Sequence, residues 1–337
     1  FGNYERNEQR AVGTTTLLVP EFAHLNRISP SPFFNTQLSL RLDGRFSNRH
    51  TAFVRYSHDG IRAYGQARGY PSSWLRQPAW ADQSILGLTS VFGDTMVNDL
   101  RFSYFYINSR VASVTEQECP GCLGVGAPSI TVAQTGLSLG GSATQLTLAR
   151  RFHLNDYVTW QRATHRMQFG VDWEYNRGGT LNLSNEPVTL TLFSPQRARQ
   201  QPNIPPLPSA FRTLDDILQL PLQSVTIGVG DPRLLQENGS LVRSWNTLRF
   251  FFQDTWRLSS GLTLNYGLGW SIDRNLNYDL TKPVLLAPIF GADGLGPTRK
   301  QWKNFSPVLG VAWSPWFDAK TVLRGGAGFY YDFLFPG

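Results

Sequence analysis

Cys119-Pro-Gly-Cys122 holds both cysteines of the chain. This spacing can close a local disulfide, supply half of a zinc site, or form a redox dithiol. No second pair of metal-ligand residues stands near it and its surroundings are not thioredoxin-like, so a disulfide pinning a loop is the plainer reading, with no metal expected. The histidines, at 24, 50, 58, 153 and 165, are scattered. His58 adjoins Asp59, but neighbours on a strand point to opposite faces and cannot simply pair. No Ser/His/Asp set or pair of carboxylates stands out, so catalysis and a cofactor are not expected. Contact chemistry is richest over 64–80, where aromatics interleave with arginine. Tyr64, Arg68, Tyr70, Trp74, Arg76 and Trp80 could anchor a sugar, a siderophore or a peptide. The competing reading is a loop that packs on its own neighbours.

The elements that would position these residues are strands. Leu262, Leu264, Tyr266, Leu268 and Trp270 alternate with Thr263, Asn265, Gly267, Gly269 and Ser271, giving one oily face and one polar or small face. The same alternation recurs in five hairpins at about 36–58, 84–108, 152–176, 245–273 and 305–332. In the first, Leu38, Leu40 and Leu42 oppose Ser39, Arg41, Asp43 and Arg45; in the third, Met167, Phe169, Val171, Trp173 and Tyr175 oppose Arg166, Gln168, Gly170, Asp172 and Glu174. Turns within hairpins are short, at 47–50, 93–95, around 163–164, 259–261 and 315–319. Connections between hairpins are long and rich in Gly, Pro, Ser, Asn and Gln. One of them holds a folded element at 209–230: a short helix capped by Thr213, with Asp215 and Asp216 in its first turn, then a strand.

The 337 residues are 41% hydrophobic and 16% charged, below the roughly 25% charge of an average soluble protein. The net charge is +7, carried mainly by arginine; Lys occurs at 282, 300, 303 and 320. The cations are spread along the chain without a basic stripe or a recognition motif, which argues against nucleic acid and fits acidic lipid head groups or an anionic ligand. No apolar run approaches the roughly 20 residues of a membrane helix, but barrel strands need only about 9–11. Short turns at one end, long loops at the other and aromatics near strand ends (Phe92, Tyr106, Trp160, Trp173, Trp256, Trp270, Trp313) are the pattern of a membrane barrel. A soluble sandwich would not explain the asymmetry of the loops. The expected fold is therefore all-β: an antiparallel transmembrane β-barrel, partial, of about 10–12 strands of a larger barrel, with long extracellular loops and one short loop helix. Arg41, Arg45, Arg55, Arg101, Asp172 and Glu174 would face a wet lumen. Asp254 falls in the outward register, which leaves two readings: an interfacial position, or a bulge near Gln253.

Phe251-Phe-Gln-Asp-Thr-Trp-Arg-Leu, followed by Leu262-Thr-Leu-Asn-Tyr-Gly-Leu, resembles a signature hairpin of TonB-dependent receptor barrels, especially the Oar-like receptors. Asn304-Phe-Ser-Pro-Val-Leu-Gly-Val-Ala-Trp-Ser-Pro and Lys320-Thr-Val-Leu-Arg-Gly-Gly-Ala-Gly-Phe-Tyr-Tyr-Asp resemble the hairpin that follows. The resemblance implies a Gram-negative outer membrane, a ligand captured at the cell surface, a plug domain inside a 22-stranded barrel, and import powered by the TonB complex. Its expected partners are outer-membrane lipid and lipopolysaccharide, the plug and TonB in the full-length parent, and an unknown small or oligomeric ligand. No plug or TonB box is legible here, so the chain reads as an internal piece of such a barrel. The alternatives are a non-transporting surface or adhesion barrel, and an omptin-like barrel enzyme with an Asp/His site near His58-Asp59.

Overall fold

The computed structural model describes residues 1–65, 69–141, 145–182, 188–228, 243–274, 302–316 and 320–331. Eleven strands form one antiparallel sheet in near-sequential order. They are β1 (Gly2–Thr15), β2 (Arg27–Arg45), β3 (His50–Tyr64), β4 (Leu75–Phe92), β5 (Met96–Ser113), β8 (Gln145–Arg162), β9 (His165–Asn182), β12 (Arg243–Ser259), β13 (Leu262–Arg274), β14 (Asn304–Trp313) and β15 (Leu323–Gly328). Among the described residues, the connections after β5 and β9 carry further strands: β6 (Ser129–Val132), β7 (Leu137–Leu139), β10 (Thr189–Leu192) and β11 (Leu222–Thr226). These four make a second small sheet in the order β11-β10-β6-β7, with β10 and β6 running parallel.

Several strands exceed the stretch marked by alternation. β2 begins at Arg27, and β4, β5, β8 and β9 each run 18 residues, far beyond the soluble mode of about 5–6. At one end they turn tightly. Ala163, at φ 52°, takes the left-handed geometry of a two-residue hairpin turn, and Gly93, at φ 62°, takes it at the start of the three-residue turn 93–95. At the other end the strands run on into the long connections.

Register separates the two faces, because directly paired residues share a face. One outward row reads Leu42, Val54, Leu86, Phe102 and Leu154. Another reads Phe169, Phe252, Leu268 and Pro307. These rows are apolar, and Leu42, Val54, Leu86, Phe102, Phe169, Phe252 and Leu268 all lie exposed. Rows on the opposite face carry Arg41 with Arg55, and Asn155 with Asp172 and Arg249. Among the described residues no helix is long and apolar enough to cross a membrane. An apolar sheet face of this extent, with no protein over it, is a face for lipid.

The packed hydrophobic core lies elsewhere. Leu17, Phe22, Leu25, Tyr70, Trp74, Val114, Ile130, Val132, Leu137, Leu139, Leu192, Phe211, Ile217 and Leu220 form one buried cluster, and none of them belongs to the eleven strands. They come from the connections at the long-loop end, which fold together into a cap. Helices α1 (Pro195–Ala198) and α2 (Leu214–Leu218) belong to it. Thr213 caps α2 by accepting from the Asp216 N–H, and Asp216 accepts in return from the Thr213 N–H, a reciprocal capping box.

Candidate functional site

The site is the mouth of the sheet: the cap at its long-loop end and the polar inward face below. Trp74 anchors the first to the second. Its ring lies against Gly13, an inward residue near the end of β1, where a Cβ would run into the indole. Only glycine lets the ring approach that closely. Trp74 is 1% exposed and its Nε1 donates to the Gly69 carbonyl at 3.3 Å. Tyr64 tilts against it at 5.7 Å between centroids, and Phe22 meets Phe211 at 5.2 Å.

Polar ties join the loops. Thr15 Oγ1 donates to the Gly69 carbonyl at 3.0 Å, and the Gly140 N–H donates to Ser72 Oγ at 3.3 Å. Arg199 reaches across the sequence to Glu21 at 2.6 Å. Burial raises the Glu21 pKa, but hydrogen bonds from the backbone and from Arg199, with the charge of Arg199, bring it below its ordinary value. Burial likewise acts upward on Glu118. Hydrogen bonds from Thr115 and the charge of Arg76, 3.7 Å away, outweigh it and hold the carboxyl low. Cys119 and Cys122 are joined, with Cα atoms 5.5 Å apart, and both are buried in the cap.

The aromatic and arginine candidates of 64–80 therefore divide. Tyr70 and Trp74 are buried in the cap, Tyr64 packs beside them, and Arg76 faces Glu118. Trp80 is 41% exposed on the outward face and packs on Tyr106. Arg68 lies outside the described residues. They do not converge on one open cleft.

The inward face does concentrate polar groups. Asp172 accepts from Asn155, lies 2.9 Å from His153 Nε2, and receives Arg249 at 3.3 Å. Asp59 accepts from Asn35 at 2.8 Å and Gln37 at 3.0 Å, Arg41 pairs with Asp43 at 2.7 Å, and Arg101 with Asp99 at 3.0 Å. The Arg41 guanidinium also lies 4.2 Å from the centre of the Phe53 ring. Such a wall is wettable and nearly charge-compensated. It suits the lining of a lumen or a contact for polar protein, and Asp172 is too fully engaged to be a free general base. Among the described residues no group of three His, Cys, Asp or Glu is placed to hold a metal ion.

The outward face carries two carboxylate–histidine–tyrosine trios that local reading did not find. His58 Nδ1 is 2.7 Å from Asp82, which also accepts from Tyr56 at 2.7 Å. His165 and Tyr266 do the same for Asp254. His58 thus meets Asp82 across the strand pair, while its neighbour Asp59 points inward. The signal for both trios lies in the cross-strand register, which a single strand does not reveal.

A family model described as an outer membrane beta barrel domain matches residues 14–337. The chain belongs to that family. This barrel domain resides in the outer membrane of the Gram-negative type, with its apolar face against lipid. In structure it is similar to the outer membrane transporter YddB from Escherichia coli, at 9% identity and a TM-score of 0.57, over 98% of this chain and 36% of that one. It is also similar to the copper transporter OprC, at 11% identity and a TM-score of 0.51, over 99% of this chain and 42% of that one. Identities this low speak for the fold alone. The barrel domain spans about two fifths of the length of these transporters. No curated protein sequence matches it.

Proposed function

We propose that this barrel domain is part of a TonB-dependent receptor of the Oar-like kind, one that captures a ligand at the cell surface and imports it with energy from TonB. The observation that carries this reading is the folded cap gathered at the long-loop end of a wide sheet and tied to its polar face through Trp74 and Gly13. A barrel that serves only as an anchor needs no packed cap tied to its mouth. The signature hairpins at 251–268 and 304–332 support the same reading, as does the likeness in fold to an outer membrane transporter and a copper transporter. In this scheme the cap and the upper lumen bind ligand, and a plug in the full-length parent fills the space beside Asp172, His153 and Arg249.

The test is made on the full-length protein purified from outer membranes. Binding to the purified periplasmic domain of TonB, lost when the segment preceding the barrel is removed, is the expected result. A full reading frame without a plug and a TonB box would sink the import reading and leave a surface or adhesion barrel.

A further inference from the structure

Arg150 on β8 and Arg177 on β9 stand directly opposite each other. Both are exposed, and both lie in the outward register, in a row that runs Asp82, Tyr106, Arg150, Arg177, Ser244 across five strands. Like charges directly opposite on a sheet destabilise it unless an anion lies between them. Some arginines of the sheet are compensated by a carboxylate two residues away: Arg6 and Arg10 by Glu8, Arg41, which pairs with Arg55 across β2 and β3, by Asp43, and Arg101 by Asp99. Among the described residues neither Arg150 nor Arg177 has a carboxylate within ion-pair distance. The Tyr106 ring lies 5.6 Å from the Arg150 guanidinium, and Asn108 Nδ2 donates to Tyr106 Oη at 3.2 Å.

Height decides what the missing anion is. Trp160, at the short-turn end of β8, is ten residues from Arg150. At about 3.3 Å per residue and a tilt of about 40°, that separation is roughly 25 Å of membrane, the height of the apolar band of such barrels. Arg177 stands ten residues from Met167 on β9 in the same way. The pair thus emerges at the outer edge of the band, facing away from the lumen, where lipid phosphates lie and where a ligand bound for the lumen does not. Guanidinium groups match phosphate in a bidentate way, and two of them side by side match a phosphate better than a carboxylate.

We infer that Arg150 and Arg177 form a binding site for the phosphate of an outer-leaflet lipid. The lipid phosphate bridges the two guanidiniums and removes their repulsion, and the Tyr106 ring supports one of them.

The experiment uses the full-length protein in detergent, folded as judged by heat-modifiable gel migration, and titrates it with diphosphorylated lipid A and with the same lipid after phosphate removal. Wild type is expected to bind the phosphorylated form on the order of tenfold more tightly. The R150Q/R177Q double variant is expected to lose that preference, while R55Q, on the inward face, keeps it. A double variant that retains the preference, or an R55Q protein that loses it equally, overturns the proposal. So does inorganic phosphate bound at the pair as tightly as the lipid, which would make the occupant a soluble anion. Should the double variant not fold, the unmodified protein still decides: its preference must fall as salt rises, and a salt-independent preference overturns the site.

Discussion

Nδ1 of His165 lies 2.6 Å from Oδ2 of Asp254, on the outward face of the sheet and beside its short-turn end. Asp254 pairs in register with Met167 and Tyr266, with no shift at Gln253; the irregularity comes later, between Arg257 and Ser259. The bulge reading is therefore excluded, and the carboxylate keeps its outward position. It is 1% exposed because Tyr266 donates to it at 2.8 Å and the His165 ring stacks on Trp256 with centroids 5.0 Å apart. A carboxylate in this setting is tolerable only while both partners hold it. Tyr266→Phe removes one of the hydrogen bonds to this carboxyl and should lower barrel stability. His165→Ala should cost at least as much, since it also removes the ring stacked on Trp256. Unfolding midpoints in urea with detergent or lipid measure both; a Tyr266→Phe change near zero would mean that water, not protein, satisfies Asp254.

Legibility in the sequence followed local contrast. β13 is plain because Leu262 to Ser271 alternate without a break. β1 shows no such contrast because both of its faces are polar: Arg6, Glu8 and Arg10 lie outward while Glu5, Asn7 and Gln9 lie inward. A strand without a period-two contrast gives no signal of its own, and its place comes from pairing with β2. Of the cap only α2 and β11 are legible locally, since its core gathers residues from connections more than a hundred positions apart, such as Phe22 and Phe211. The parallel pairing of β6 with β10 is invisible locally for the same reason. Among the 64–80 residues, type alone could not separate Trp74, which anchors a core, from Trp80, which faces outward.

Because the hydrophobic core lies wholly in the loops, cap and barrel should fail separately. Trp74→Ala empties a large, fully buried site and should lower cap stability by about 3–5 kcal/mol. Gly13→Leu forces the same ring away from β1. The expected outcome for both is faster proteolysis within 113–145 and 188–228, with heat-modifiable migration of the barrel unchanged. Loss of that migration would show that the cap is needed to hold the sheet together.

The joined Cys119 and Cys122 close a loop with a sequence separation of 3. A loop this short restrains little of the unfolded chain, and the entropy relation gives about 2 kcal/mol. Cys119→Ser with Cys122→Ser should therefore increase proteolysis of the cap less than Trp74→Ala does. Reduction of the wild type should reproduce that effect, and an unreacted thiol count of zero before reduction checks the pairing directly.

The cap should also loosen in acid. Against the upward push of burial, Glu21 is held below its ordinary value of 4.5 by a backbone hydrogen bond and by Arg199, and Glu118 by Thr115 with Arg76. A carboxyl whose folded pKa is depressed contributes stability above its unfolded value and loses it as pH falls through the folded one. Resistance of the cap to an acid-tolerant protease should be level at neutral pH and decline below about pH 4.5. Arg199→Gln should lower the neutral-pH level and flatten part of that decline. A cap equally resistant at both extremes would show that these carboxylates do not hold it.

The assignment of faces makes a sharper demand on two adjacent residues. Phe252 points outward, paired with Phe169 and Leu268, while Gln253 points inward, paired with Gln168 and Gly267. An arginine at the first position must enter the apolar band; at the second it meets the wet inward wall. Phe252→Arg should cost roughly 2–4 kcal/mol, falling as the position nears an interface, whereas Gln253→Arg should cost little. Refolding of the full-length protein into lipid vesicles, followed by urea titration, measures the difference. Equal penalties at the two positions would mean that both faces are covered by protein, and a reversed order would put lipid on the side of Asp172 and Arg249.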